Sequence, residues 1–318
     1  VNGFLTELGK RLAERWLSLL VLPGALFLGV LAAGRFLGHA RWYDVAALPD
    51  GLDAHTTQAT GSAARAVLLL TAFLLAASAC GLAAQALGSQ VERVWLAADW
   101  PNWPKRTHPA VLRLIAHRQR RYDERREQVA RSAAEDHVLG DSSGPAGMGL
   151  RTAVARHRLR RIADARPVRP TWPGDRLDAV DARLNEQLGV DVAAVWPLLW
   201  LHAPDTTRAE ITAARDAMQR ATTLAGWALL YLAVAGVWWP GALVSAAIMA
   251  TAWHRFRVTT DAYATLVEAA TRLHVGDLAR HLGLESDGPL TRRRGTDLTA
   301  HLTEGRPSTR RDPRPPTT

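Results

Sequence analysis

Apolar positions along the chain gather into three blocks, residues 16–37, 66–89 and 221–253, while the stretches between them are dense in arginine. The third block carries Trp238-Trp239-Pro240-Gly241 in its middle. As one straight helix it would reach roughly 50 Å at about 1.5 Å per residue, well beyond a hydrocarbon core of about 30 Å. Split at Pro240-Gly241, its first half is long enough to cross, and its second half borrows His254–Val258 by snorkelling of Arg255 and Arg257. Pro and Gly end one helix and begin another, so the pattern predicts a helical hairpin with Trp238 and Trp239 at a membrane interface. A hairpin in a soluble core is the competing reading.

Charge orients these segments. Arg208, Arg215 and Arg220 precede the third block and Arg255 and Arg257 follow it, which places both flanks on the cytoplasmic side. Segment 38–64 has one Arg against Asp44, Asp50 and Asp53, whereas 91–220 holds 22 basic residues, so the short segment is expected outside and the long one inside. Lys10, Arg11 and Arg15 keep the N-terminus inside. The expectation is an all-α integral membrane protein with four transmembrane helices in two hairpins and a helical cytoplasmic module. In order these are an amphipathic N-terminus (1–15), a span (16–37), an external loop (38–64), a second span (65–89) and a basic helical domain (90–220). Two further spans (221–239 and 240–257), an amphipathic helix (258–284) and a disordered basic tail (285–318) complete it. The protein is thus expected in the bacterial cell membrane as a multi-pass protein with both termini cytoplasmic.

Composition changes this picture little. The 318 residues are 48% hydrophobic, and a mean hydropathy of −0.07 averages two kinds of segment. Of 39 basic residues only Lys10 and Lys105 are lysines, which reads most simply as coding bias and otherwise as a choice of Arg for bidentate phosphate binding. Cys80 is the only cysteine, so neither an intramolecular disulfide nor a cysteine-based zinc site can form. Gly38-His39-Ala40 imitates a signal cleavage site, but the apolar stretch Trp16–Leu37 exceeds the roughly 7–15 residues of a signal core.

The spans carry no central Asp, Glu, Lys, Arg or His, which weighs against proton relays, ion-coupled transport and intramembrane proteolysis. Ala77, Gly81, Ala84 and Gly88 form a small-residue stripe on the second span, and Ala242, Ala246 and Ala250 another on the fourth, spacings that let helix backbones approach. Gln85 is a pore-lining or helix-packing candidate. Pro23-Gly24 predicts a kink in the first span, static or acting as a hinge.

In the cytoplasmic part Trp95, Trp100 and Trp103 read as interfacial anchors. Two basic helices follow, separated by a flexible "GDSSGPAGMG", and Arg118, Arg120, Arg121, Arg158, Arg160 and Arg161 are candidates for contact with anionic inner-leaflet lipid. A merely solvated helix face is the plainer alternative. Nucleic acid is disfavoured, because 22 basic residues in 91–220 face 17 acidic ones and no aromatic-interleaved fingerprint accompanies them. Asp175, Asp178 and Asp181 recur every three residues near a helix start, where they complement the helix dipole more simply than they bind metal. Gly189 should close that helix, and Thr207 with Glu210 form a capping box for the next long one.

The order of Pro170-Thr171, the Asp-rich helix, "LGVDVAAVWPLLW", a transmembrane hairpin and "AYATLVEAATRLHVGDLARHLGL" resembles a layout recurring in uncharacterised bacterial polytopic membrane proteins of actinobacterial type. The resemblance covers about residues 170–283, departs at Trp172-Pro173 and implies no activity. Nucleophile elbows, P-loops, dinucleotide glycine patterns and HExxH are missing, and no cofactor or metal is expected. The leading expectation is therefore a non-enzymatic membrane protein that presents a basic helical module for partner docking, signalling or defence. An oligomeric channel or pore and a lipid-active enzyme are the alternatives. Expected partners are anionic inner-leaflet lipid and a protein or a second copy of the chain.

Overall fold

The computed structural model describes Glu7 and residues 21–39, 63–284 and 290–303. Among these every regular element is helical, with no strand. The helices are α1 (Leu22–Leu37), α2 (Ala63–Leu96), α3 (His108–Leu139), α4 (Leu150–Arg160), α5 (Trp172–Leu188), α6 (Val192–His202), α7 (Asp205–Val234), α8 (Pro240–His281) and α9 (Arg292–Thr303). The chain divides into two compact units, Val1–Leu96 with Asp216–Thr259, and Ala97–Arg215 with Thr260–Thr318. The expectations for 1–15, for most of the external loop and for the tail beyond Thr303 lie outside the described residues.

In the first unit, α1, α2 and the unit's parts of α7 and α8 alternate in direction. A Cβ built on Gly88 would meet the Thr222 carbonyl oxygen at 2.7 Å, and one on Gly226 would meet the Ala84 oxygen at 1.9 Å, so α2 and α7 run antiparallel. Phe27 packs on Trp227 and Tyr231, and His39 Nδ1 donates to the Val237 carbonyl at 2.7 Å, so α1 and α7 run the same way. The turn 235–239 closes on backbone bonds from Ala235, Gly236, Val237 and Trp238 to the last turn of α7 and reverses the chain into α8. Ser245 Oγ donates to the Ala228 carbonyl across that hairpin.

Several boundaries differ from the sequence reading. Helix α7 stops at Val234 rather than 239, because Gly236 and Pro240 favour a turn. Helix α8 runs 42 residues without a break, so 240–257 and 258–284 are not separate elements; its register is continuous and holds no Pro or Gly pair after Gly241. Helix α7 starts at Asp205, which leaves Thr207 inside the helix and not at its cap. Among the described residues α2 alone is long and apolar enough to cross a membrane.

In the second unit α5 and the C-terminal half of α8 run parallel with a constant offset. Arg176 bonds Asp261 at 2.6 Å, Arg183 bonds Glu268 at 2.8 Å and Arg272 bonds Gln187 at 2.6 Å. Val180, Leu184 and Ala264 fill the seam beneath this polar row. Gly189 ends α5 in the left-handed region, its N–H bonded to the Asn185 carbonyl. Helix α6 is capped by Asp191, whose side chain accepts from Ala193 and Ala194.

Residues 290–303, expected to belong to a disordered tail, are ordered. Leu298 of α9 is fully buried with Val190, Val195, Leu199 and Leu278, and Gly295 lies against the backbone of Leu188. One apolar side and a glycine let an otherwise polar helix dock.

Candidate functional site

The features of these helices that bear on function are surfaces and close helix contacts. In the first unit the helix exteriors are apolar. Leu68, Leu70, Phe73 and Leu75 of α2, Leu22 and Leu26 of α1 and Leu243 of α8 are exposed. On α2 the buried positions are all small, Ala77, Gly81, Ala84 and Gly88, while Phe27, Tyr231 and Val234 form a core among α1, α7 and their neighbours. Large apolar side chains outside and small ones at the contact are, for α2, the reverse of the arrangement that water selects.

Gly24 belongs to this interior. A Cβ there would sit 2.0 Å from the Ala77 carbonyl oxygen, so glycine is required for contact between α1 and α2. Pro23 occupies the first turn of α1, where proline needs no hydrogen-bond partner; a kink would involve residues before Val21, outside those described. Gln85 is exposed and does not line an interior. The second stripe, Ala242, Ala246 and Ala250, also points outward, because on α8 the buried positions Gly241 and Ser245 face α7.

The tryptophans divide. Trp95 packs edge-on to Trp253 at 5.1 Å and tilted to Phe256 at 5.0 Å, so it is a packing residue of the first unit and not a free anchor. Trp100 stands edge-on to His108, and Trp103 is half-buried. Trp238 covers Gly34, while Trp239 is exposed.

The arginine candidates divide as well. Arg120, Arg121, Arg158, Arg160 and Arg161 are exposed. Arg118 is not a lipid contact: it is interior, 13% exposed beside Asp175 at 7%. Its guanidinium pairs with the Asp175 carboxylate and donates to the carbonyls of Arg169, at 2.6 Å, and Ile162. The other Asp175 oxygen accepts from the N–H groups of Val168 and Arg169. Asp175 thus fixes the chain between α4 and α5 to α3. Asp178 binds Arg169, and Asp181 accepts from the Val192 N–H. Among the described residues no group of three or more His, Cys, Asp or Glu could hold a metal ion.

Helices α3 and α4 form an antiparallel hairpin whose turn is ordered rather than flexible. Buried Asp136 accepts from both the N–H and the hydroxyl of Thr152, at 2.9 and 2.6 Å, and a Cβ on Gly149 would collide with that carboxylate. Asp141 accepts from the Ser143 hydroxyl and N–H and from the Leu150 N–H; these bonds, the Ser143 hydroxyl first, hold its carboxyl below the usual range. Two acids therefore cap the N-terminus of α4. An open groove of about 500 Å³ lies between the two helices, with Arg131, Arg151, Arg158, Leu150 and Val154 in its walls. In the sequence Asp136 was visible only as a member of a charged run, and Asp141 only as part of the segment expected to be flexible.

No protein-family model, curated protein or solved structure matches this chain. The likeness of residues 170–283 to a recurring membrane-protein layout therefore brings no family and no activity with it.

Proposed function

We propose that the chain is a non-enzymatic integral membrane protein of the bacterial cytoplasmic membrane. The first unit is its lipid-embedded part, with four crossings and both termini cytoplasmic. The second is a cytoplasmic helical module that presents basic helices for partner docking in a signalling or defence-effector role. One observation carries the reading: α2 exposes leucine, valine and phenylalanine over most of its apolar length and buries only Ala77, Gly81, Ala84 and Gly88, where its neighbours approach closely. A helix such as α2, exposed over most of its apolar length, would be a poor element of a water-borne protein.

The described part of α1, 16 residues, reaches about 24 Å, and crossing with it draws on residues before Leu22. The hairpin of α7 and α8 supplies the other pair, with Arg220, Arg255 and Arg257 at its cytoplasmic end and Trp239 at its tip. An oligomeric channel is the second reading, and Gln85, exposed on α2, would then lie between copies of the chain. A lipid-active enzyme is the third reading; among the described residues no group of three or more His, Cys, Asp or Glu could hold a metal ion for it.

Site-specific photocrosslinking in living cells tests the docking role. A benzophenone side chain at Arg121 or Arg156 should yield a discrete adduct, either with one partner or with a second copy. Absence of any adduct from exposed positions of α3 and α4 would remove the docking role. Ion conductance by the reconstituted protein would replace it with the channel reading.

A further inference from the structure

We propose that the groove between α3 and α4 binds anionic phospholipid, so that the second unit grips the membrane surface through this groove. The inference deepens the membrane reading above and rests on it. Its basis is the coincidence of two kinds of side chain on one face. Arg131 comes from α3 and Arg151 and Arg158 from α4, three guanidinium groups suited to phosphate oxygens. Beside them Leu150 and Val154 are exposed, and Leu139, four residues after Glu135 on the same side of α3, extends the apolar strip at 63% exposure.

Of the nearby acids only Glu135 lines the groove. Asp136 and Asp141 keep their charge but turn oxygens to Thr152 and to Ser143 and Leu150, and neither lines the groove. Glu135 meets Arg151 at 3.4 Å and Glu127 meets Arg131 at 3.8 Å, both as solvent-exposed pairs that a phosphate can displace at little cost. Arg158 makes no ion pair among the described residues. Helix α4 itself contains four arginines and no acid.

An amphiphile with a phosphate head satisfies both halves of this face, the head on the arginines and its glycerol and upper acyl carbons on Leu139, Leu150 and Val154. Single-stranded nucleic acid fits less well, because no aromatic side chain is in the groove to stack a base. The Asp136–Thr152 lock holds the two helices at a set separation, so the face is preformed.

The test uses the full chain with Cys80→Ala, reconstituted in nanodiscs of phosphatidylcholine alone or with phosphatidylglycerol, some lipids carrying a shallow nitroxide. A bimane label on Leu139→Cys should lose most of its fluorescence in the anionic discs and little in the zwitterionic ones. Each arginine near an anionic surface contributes about a fivefold change in partitioning. The triple variant Arg131→Gln, Arg151→Gln, Arg158→Gln should therefore weaken contact about a hundredfold and return the label to its zwitterionic level. Equal quenching in both discs, no quenching in either, or quenching that the triple variant leaves intact would each overturn the proposal. A soluble acidic peptide that protects the label better than lipid would also overturn it, in favour of a protein partner. A label on Leu70→Cys separates the two readings: if it is quenched while Leu139→Cys is not, only the groove proposal fails, and if it is not quenched, the membrane reading fails first.

Discussion

Gly24 of α1 lies so near Ala77 of α2 that a side-chain carbon on the glycine would stand 2.0 Å from the alanine carbonyl oxygen. Such an approach leaves room for hydrogen alone, and it recurs where Gly226 meets Ala84. Gly24→Val should therefore force α1 off α2, at a cost of about 1–3 kcal/mol or more. Gly29→Ala, on the same helix with nothing within 4 Å, should be neutral or stabilising by up to about 1 kcal/mol. Thermal unfolding of the two variants in detergent checks the contrast, and equal melting temperatures would count against backbone contact here.

Arg118 and Asp175 form the most enclosed ion pair among the described residues of the second unit. Removing the guanidinium strands a carboxylate whose partners are otherwise two amides. Arg118→Met should cost about 3–5 kcal/mol, while Arg120→Ala, on the exposed side of the same helix, should stay within about 0.5 kcal/mol. Chemical denaturation monitored by helical circular dichroism reads the difference.

Glu268 joins α8 to α5 through Arg183. Burial alone would raise its carboxyl, but the hydrogen bonds from Arg272 and Arg183 outweigh that and hold it below the ordinary glutamate range. In the unfolded chain it takes a proton at about pH 4.3; in the folded chain it does so lower. Its contribution is thus present above the unfolded value and lost as pH falls through the folded one. Glu268→Gln should lower the melting temperature at neutral pH and flatten its fall in acid, as a melting series across that window would record.

Leu298 anchors α9 with no exposed surface. Leu298→Ala should destabilise the second unit by about 2–5 kcal/mol, and limited proteolysis should then release the chain beyond residue 290 first. Retention of the wild-type cleavage pattern would show that α9 adds nothing to the core.

These features were unequally legible in the sequence. Ala77, Gly81, Ala84 and Gly88 stood out because small residues at helical spacing have one obvious use between apolar helices, and they are the buried face of α2. The same spacing in Ala242, Ala246 and Ala250 misled, since alanine is common in this chain and the α8 interior is marked instead by Gly241 and Ser245. Arg118 resembled its neighbours in a helix crowded with arginine; what distinguishes it is an acid 57 residues away, a relation no local pattern carries. Helix α9 was hidden by its polarity, for a short helix needs only Gly295, Leu298 and Leu302 to dock. The Pro240-Gly241 reversal was readable because those two residues act locally.

Four membrane crossings require lipid, not water, to cover the first unit. Nitroxide side chains placed singly at Leu68, Leu70, Ala72 and Leu75 of the bilayer-reconstituted protein report this through their collisions with dissolved oxygen and with a water-soluble nickel chelate. All four positions are exposed, Leu68, Ala72 and Leu75 on one side of α2 and Leu70 on the opposite side, and should be reached by oxygen and shielded from nickel, whereas a label at exposed Glu186 should show the reverse. Ready access of the nickel chelate to the α2 positions would show that water covers α2 and would overturn the membrane assignment.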